Sequence, residues 1–158
     1  MIARLYDATT TGLLAAAGFV MFALAIGNAV LRYFFGAPLI WAEEISRYAM
    51  VWGTMIGIAL AYRAGAHVAI TLLVDMLPPR ALLPLRVLCH LLTLGVAWVI
   101  WRAGYVLTSM LGFMDAPSSG VPMAWVFAAM PTAAVLLAIE AVRHLAGDLR
   151  RLAAGRPA

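Results

Sequence analysis

Residues 8–31 decide the class of this protein: they read ATTTGLLAAAGFVMFALAIGNAVL, 24 residues without a charge between Asp7 and Arg32. A helix that crosses a bilayer needs roughly 20 apolar residues, and this stretch supplies them. A second stretch of 24 uncharged residues runs from 116 to 139. Because such stretches fit a bilayer and not water, the sequence predicts an integral membrane protein.

The composition supports this prediction. Of the 158 residues, 65% are hydrophobic and 11% are charged, whereas a soluble domain has about 25% charged residues. A chain of this size cannot bury so much apolar surface in a core of its own, which makes a soluble globular protein the poorest interpretation. Intrinsic disorder is excluded, because disordered chains are rich in polar and charged residues.

The middle of the chain predicts two further membrane helices. Uncharged stretches of 15 residues, 48–62 and 87–101, are each too short alone but extend across their flanking charges. The predicted fold is therefore an all-α integral membrane protein with four transmembrane helices in a single domain, at about 10–32, 41–62, 84–112 and 116–140. Pro84 suits the first turn of the third helix. The first helix is expected to be retained, because its uncharged stretch exceeds the roughly 7–15 residues of a signal peptide's apolar core.

A short amphipathic helix is predicted between the second and third membrane helices, over about 66–77. His67, Thr71 and Asp75 recur at every fourth position and therefore share one face, with apolar residues on the other. Such a helix lies in the membrane interface. The alternative is that these residues form the frayed end of the second membrane helix.

All 11 basic residues are arginines, and their distribution predicts the orientation of the chain. Cytoplasmic loops are enriched in basic residues. With the N-terminus in the cytoplasm, the inner segments carry eight arginines and the outer segments three. Both termini are therefore expected in the cytoplasm, the C-terminal one as a basic tail over 141–158. The arginines are scattered singly between apolar blocks, which does not fit a surface for nucleic acid.

The segment 28–48 is polar for its surroundings, and we call six of its residues the polar group: Asn28, Arg32, Trp41, Glu43, Glu44 and Arg47. Asn28 and Arg32 lie one helical turn apart, as do Glu43 and Arg47, and a turn at Gly36 and Pro38 lies between the two pairs. Arg32 is expected to reach Glu43 or Glu44, because charges near lipid must be paired. Three interpretations stay open: an ion-paired clamp between the first two helices, a docking surface for a partner, or a substrate or ion site.

Small residues recur at every fourth position of the second helix, at Ala49, Gly53, Gly57 and Ala61. Such a stripe lets two helices approach closely in lipid. The stripe fits contact with a partner protein or packing within the chain.

Catalytic and cofactor sites are not expected. A haem anchor needs histidines that face each other from two membrane helices, and only His90 lies inside a predicted one. The hydroxyl side chains in the helices lack a companion acid or base, and no metal-ligand spacing or phosphate-binding loop is present. Cys89 lies in an apolar block and is expected to be a buried small hydrophobe. The sequence therefore predicts neither an enzyme nor a bound cofactor or metal.

Two blocks of the sequence carry a resemblance to one family of membrane proteins. They are Asn28-x-x-x-Arg32-Tyr33-x-Phe35-Gly36-x-Pro38-x-x-Trp41-x-Glu43-Glu44-x-x-Arg47-Tyr48 and Gly57-x-Ala59-x-Ala61-Tyr62-Arg63-x-Gly65-x-His67-Val68. A weaker third block is Ser118-x-Gly120-Val121-Pro122-Met123-x-Trp125, followed by Pro131. Over nearly its whole length the chain resembles the small membrane (Q, DctQ-like) subunit of tripartite ATP-independent periplasmic (TRAP) transporters.

The resemblance implies a division of labour at the bacterial inner membrane. In this family a large membrane subunit carries the sodium and substrate sites, and a soluble periplasmic protein captures the substrate, typically an organic acid anion. The small subunit joins the large one as fixed scaffold and helps to receive the binding protein. The expected partners are therefore the large subunit, the binding protein and membrane lipids, with no nucleic acid.

A small transporter that works alone as a homo-oligomer is the alternative. Such a transporter is expected to carry a buried acid in an early membrane helix, and no acid lies between Asp7 and Arg32.

Overall fold

The computed structural model describes residues 2–65 and 79–153. In these two ranges, four long helices and one short one follow in chain order: α1 (Ile2–Phe35), α2 (Ile40–Arg63), α3 (Pro79–Leu111), α4 (Met123–Phe127) and α5 (Ala129–Ala153). These two ranges contain no strand, and one isolated β-bridge joins Asp115 to Pro122. The predicted all-α class is confirmed. The interfacial helix predicted over 66–77, with His67, Thr71 and Asp75, lies outside the described residues.

Within the described residues, three helical stretches are long and apolar enough to cross a membrane: Tyr6–Phe35, Leu82–Leu111 and Met123–Arg151. The predicted second span falls on α2, whose 24 residues extend about 36 Å. This helix carries Glu43, Glu44 and Arg47 in its first two turns and Arg63 in its last turn. A fourth membrane crossing by α2 therefore stays a prediction.

The third helix begins earlier than predicted. The sequence placed Pro84 in its first turn, whereas α3 begins at Pro79 and contains Pro84 in its interior. Proline is favoured at the first helical position, because the N–H that it lacks has no helical partner there. Pro79 meets this condition as well as Pro84 does.

The last predicted span, 116–140, differs from the structure at its start. Residues 112–122 form a turn, closed by hydrogen bonds from Ala116 N to Val121 O (2.9 Å) and from Met123 N to Met114 O (2.8 Å). The turn includes Gly120 with a φ of +66°, which glycine adopts without steric cost.

The predicted basic tail, 141–158, is helical as far as Ala153, the last residue of α5. The helix continues because one of its faces stays packed against the bundle, with Ala141 and Asp148 buried. Arg150 and Arg151 occupy the last turn of α5, where the helix dipole stabilises positive charge.

The principal contacts join the helices in a row, in the order α1, α2, α5 and α3. A small core forms where α2, α3 and α5 meet, from Ala59, Tyr62, Ala97, Leu137 and Ala141. A Cβ atom at Gly104 of α3 would lie 2.7 Å from Met130 Cβ and from Pro131 Cδ of α5, so the close approach of these two helices needs glycine. Large apolar side chains such as Phe19 and Trp98 stay exposed on the outer helices. These faces require lipid or another protein.

Candidate functional site

The polar contacts between helices lie mainly at the two ends of the bundle. The turns 36–39 and 112–122 lie at one end, which we call the turn end, because Glu44 near the first turn bonds to Ser119 in the second. The starts of α1 and α3 and the ends of α2 and α5 lie at the other, which we call the terminal end. The predicted polar group lies at the turn end.

Asn28 closes the turn between α1 and α2. Its side chain is 7% exposed, and its Oδ1 accepts a hydrogen bond of 2.8 Å from the backbone N–H of Leu39. That N–H belongs to the N-cap residue of α2 and has no helical partner. The Ser46 hydroxyl adds a bond of 3.3 Å to the Met21 carbonyl. Neutral hydrogen bonds to the backbone therefore hold α1 and α2 together at the turn end.

The ion pair predicted between α1 and α2 is loose. Arg32 Nη1 lies 4.0 Å from Glu43 Oε1, and the two side chains are 51% and 64% exposed. The guanidinium also lies over the Tyr33 ring, 5.0 Å from its centroid. Arg47 is exposed and makes no ion pair with any described residue, Glu43 included. The predicted contact of Arg32 with Glu43 is thus present but exposed, and exposed pairs of this kind add little stability. The ion-paired clamp stays a prediction.

Glu44 makes its contacts with the second turn and not with Arg32. Its Oε2 accepts hydrogen bonds from the backbone N–H groups of Ser119 (2.7 Å) and Ser118 (3.2 Å). Further along α2, the Trp52 indole N–H donates to the carbonyl of Trp125 at 3.1 Å. These contacts join α2 to the turn that precedes α4 and to α4 itself.

A small polar cavity of about 240 Å³ lies between α1 and α2, with Asn28, Arg32, Glu43 and Ser46 among its lining residues. Two of these four side chains already bond to the backbone, Asn28 to Leu39 and Ser46 to Met21. Trp41 is exposed nearby, at the start of α2. The structure thus brings the six residues of the polar group to one end, with Arg32, Glu43 and Arg47 available at the surface.

The small-residue stripe of α2 faces α1 within the chain. A Cβ atom at Gly53 would lie 3.5 Å from Ala17 Cβ, and one at Gly57 would lie 3.9 Å from Leu14 Cδ1. Ala61, one turn further on, is exposed, and Ala49 is half-buried. The central part of the stripe therefore packs inside this chain.

The terminal end contains a cluster of charges that sequence reasoning did not find, which we call the ion cluster: Asp7, Arg63, Glu140 and Arg143. Glu140 is only 2% exposed. Its carboxylate lies 3.4 Å from Arg143 Nη1 and 4.0 Å from Arg63 Nη1. Arg63 also bonds to Asp7 at 2.6 Å, so the cluster joins α1, α2 and α5.

Next to the ion cluster lies a second group, which we call the histidine cluster: Tyr62, His90, His144 and Asp148. His90 Nε2 lies 3.2 Å from Asp148 Oδ2, and His90 Nδ1 is hydrogen bonded to the Tyr62 hydroxyl. The His144 ring stacks on that of His90, with centroids 5.8 Å apart. The structure thus pairs two histidines from two helices, where the sequence placed His144 in a tail. No metal-binding group of three His, Cys, Asp or Glu residues occurs in the described part of the chain.

Neither cluster leaves a local signal that sequence reasoning can use. Glu140 and Arg143 are three positions apart, which indicates one ion pair on a helix. Arg63 joins them only because α2 packs on α5. His90 and Asp148 likewise meet only because α3 packs on α5.

The chain matches the family model described as the DctQ component of tripartite ATP-independent periplasmic transporters over residues 21–151. It is 30% identical over 126 residues to a Haemophilus influenzae protein that carries the name TRAP transporter small permease protein, covering 80% of this chain and 78% of that one. It is 25% identical over 114 residues to the sialic acid TRAP transporter small permease protein SiaQ of Vibrio cholerae, covering 72% and 66%. It is 28% identical over 117 residues to the sialic acid TRAP transporter permease protein SiaT of Haemophilus influenzae, covering 74% of this chain and 19% of SiaT.

The matched range includes all six residues of the polar group and all of the histidine cluster. Together with the three long apolar helices, the match indicates a multi-pass protein of the inner membrane. The matched family is one of transporter components and not of enzymes.

Proposed function

The chain belongs to the DctQ family of TRAP transporter components and is a small permease subunit, and we propose that it is the fixed scaffold of a larger permease that takes up organic acid anions together with sodium. In this proposal the larger subunit holds the sodium and substrate sites. A periplasmic binding protein delivers the substrate to the assembled pair.

The main support for this proposal is that the buried carboxylates are paired with basic side chains of the same chain. Among the described residues, Glu140 and Asp148 are the two buried acids. Glu140 faces two arginines and Asp148 faces His90. An acid that carries sodium or protons across a membrane must be free to exchange its partner, whereas these two hold helices together. The chain is therefore suited to support a transporter and not to move the solute itself.

The exposed helix faces support a large membrane partner. Phe19 and Phe22 of α1 are more than half exposed, and α1 packs mainly against one neighbour, α2. The match to SiaT covers only 19% of that permease, so a unit like this one is joined there to a much longer chain. Both observations fit a helix bundle that completes its packing against a larger protein.

The distribution of charge supports an orientation with both termini in the cytoplasm, four membrane crossings and α2 as the second of them. The terminal end then faces the cytoplasm, and the turn end faces the periplasm. The exposed charges of Arg32, Glu43 and Arg47 lie where a periplasmic binding protein arrives. We assign these three residues to contact with that protein.

The proposed substrate class is supported by the names of the relatives and not by residues of this chain. The names of SiaT and SiaQ include sialic acid, which is an organic acid. Within the described residues, the polar cavity beside Arg32 contains one cation and one carboxylate, which does not identify a particular anion.

The proposal is tested by purifying the tagged chain in mild detergent after expression with the large TRAP subunit from the same organism. We expect the two to elute together at one-to-one stoichiometry. In proteoliposomes, uptake of a labelled organic acid should require both membrane proteins, the binding protein and an inward sodium gradient. A chain that runs alone as a homodimer and transports unaided in liposomes would establish the stand-alone transporter and overturn the proposal.

A further inference from the structure

Arg102 of α3 is an exposed cation on a helix that is otherwise apolar for most of its length. It makes no hydrogen bond or ion pair with any described residue. It lies nine residues before Leu111, the last residue of α3, or about 14 Å along the axis. An unpaired arginine at this depth is unfavourable in hydrocarbon and requires an anionic or polar partner from outside the chain.

The side chain points away from the bundle. Gly104 and Ala97 of α3 are buried, and Gly104 faces Met130 and Pro131 of α5. At about 100° per residue, Arg102 lies about 160° around the helix from Gly104. The partner of Arg102 is therefore found on the outer face of α3, on the side opposite α5.

An open groove of about 600 Å³ runs along this outer face. Its lining includes Trp98, Val99, Arg102, Val106 and Met110. The guanidinium is the one charged group among the groove's lining residues, and the others are apolar. The groove thus offers one positive charge beside a long apolar wall.

Aromatic rings beside the groove indicate its level in the membrane. Trp101 stacks on Trp98 with a centroid distance of 5.4 Å and on Tyr105 with a distance of 6.0 Å. Exposed tryptophan and tyrosine side chains concentrate where the hydrocarbon meets the headgroups. The flexible stem of Arg102 allows its charged head to reach that level.

The geometry points to a binding site for a phospholipid on the outer face of α3, with the lipid phosphate on Arg102 and an acyl chain along Trp98 and Val99 toward the bilayer midplane. Charge complementarity selects this ligand: a phosphodiester has one negative charge, matches the planar guanidinium, and carries the apolar chain that the groove accommodates. A protein carboxylate matches the charge but leaves the apolar wall unexplained. The site lies in the leaflet at the turn end and does not depend on the proposed scaffold function.

Native mass spectrometry of the full chain in mild detergent tests this site, with phosphatidylglycerol as the probe and diacylglycerol of the same acyl chains as the matched lipid without phosphate. We expect the wild-type chain to retain phosphatidylglycerol about tenfold more strongly than diacylglycerol, as fits one charge-assisted contact. Arg102→Gln should reduce retention to the diacylglycerol level, and Arg102→Lys should keep part of the difference. Arg47→Gln removes another unpaired arginine at the same end and should leave retention unchanged.

Filling the groove offers a second variant that keeps the charge. Val106→Trp should weaken retention of both lipids, even if Arg102→Gln fails to fold. Equal retention of the two lipids by the wild-type chain, or an Arg102→Gln variant that behaves as wild type, would overturn the proposal. Displacement of the lipid by inorganic phosphate would also overturn it, because the site would then bind a free anion. Loss of the large subunit from Arg102→Gln with lipid retention intact would assign the arginine to a protein carboxylate instead.

Discussion

The two ends of this helix bundle use their charges in opposite ways. At the terminal end, Glu140 is 2% exposed and lies between Arg63 and Arg143. At the turn end, Arg32 and Glu43 lie 4.0 Å apart and are more than half exposed. A buried charge that loses its partner is strongly destabilising, whereas an exposed pair contributes little. The comparison indicates that the terminal end fixes the arrangement of the helices, and that the charged surface at the turn end is free for another task.

The largest expected effect comes from the ion cluster. Glu140→Ala removes the carboxylate that contacts both Arg63 and Arg143, and should destabilise the protein by about 2–4 kcal/mol, because two contacts between charged groups are lost while the two arginines stay partly exposed. Thermal unfolding in detergent, followed by size-exclusion chromatography of the remaining monodisperse protein, measures this loss. Glu43→Ala is the matched control at the turn end, with an expected change below about 0.5 kcal/mol. Equal losses in the two variants would remove the distinction between the two ends.

A smaller loss of stability is expected when the histidine cluster is mutated, because it contains one ionisable pair whereas the ion cluster contains three. Asp148→Asn weakens the contact with His90 Nε2, which spans 3.2 Å between α5 and α3, and should cost about 1–3 kcal/mol. A double-mutant cycle with His90→Phe measures the coupling between the two side chains. We expect a coupling energy of at least about 0.5 kcal/mol. A coupling of zero would show that the contact does not hold α3 against α5.

Between α1 and α2 at the turn end, the expected structural contribution comes from Asn28 and not from the exposed charges of Arg32 and Glu43. Asn28→Ala leaves the Leu39 N–H without its acceptor and should destabilise the protein by about 1–2 kcal/mol. Asn28→Asp keeps an acceptor oxygen at the same position and is the matched variant, expected to retain most of the stability. Urea unfolding monitored by tryptophan fluorescence distinguishes the two. A neutral Asn28→Ala together with an Arg32→Ala variant that unfolds would instead support the predicted ion-paired clamp.

Sequence reasoning succeeds here where the signal is local. The 24 uncharged residues of 8–31 predict α1, and Gly36 with Pro38 predicts the turn that follows it. It fails where a short loop interrupts an apolar stretch: residues 116–122 are as uncharged as a membrane helix, but backbone hydrogen bonds close them into a turn. An absence of charge indicates that a segment tolerates lipid, and it does not indicate that the segment is helical.

The contacts of the candidate site also fall into those that local spacing predicts and those that depend on helix packing. The sequence predicted which residues of the polar group lie near each other, because turn and helical spacing determine that. It predicted the contact of Arg32 with Glu43, but it did not predict the partners of Glu44, which bonds to the backbone of Ser118 and Ser119, more than seventy residues away. The contact between Arg63 and Glu140 is of the same kind. Partners of this kind depend on which helices pack together. The apolar faces of α1, α2, α3 and α5 are too alike for the packing order of the helices to be predicted from sequence alone.

The smallest expected effect on stability, and the one most informative about function, comes from the exposed charges of the turn end. Glu43→Gln and Arg47→Ala should each change the free energy of unfolding by less than about 0.5 kcal/mol. Each should weaken the affinity of the assembled membrane complex for its binding protein, by about two- to fivefold at low salt and less at high salt, because exposed charges act through a screened field. Binding to the complex in nanodiscs, measured at two ionic strengths, tests this expectation.

Arg150→Ala is the matched control for these variants, because it removes an exposed arginine from the terminal end. It should leave the affinity for the binding protein unchanged at both ionic strengths. The ratio of sodium ions to substrate should be the same in all three variants, since the proposed sodium sites lie in the larger subunit. A changed ratio in Glu43→Gln, in a complex that still assembles, would mean that the polar cavity beside Asn28 binds a transported ion. The turn end would then be part of the transport path, and the terminal end alone would be scaffold.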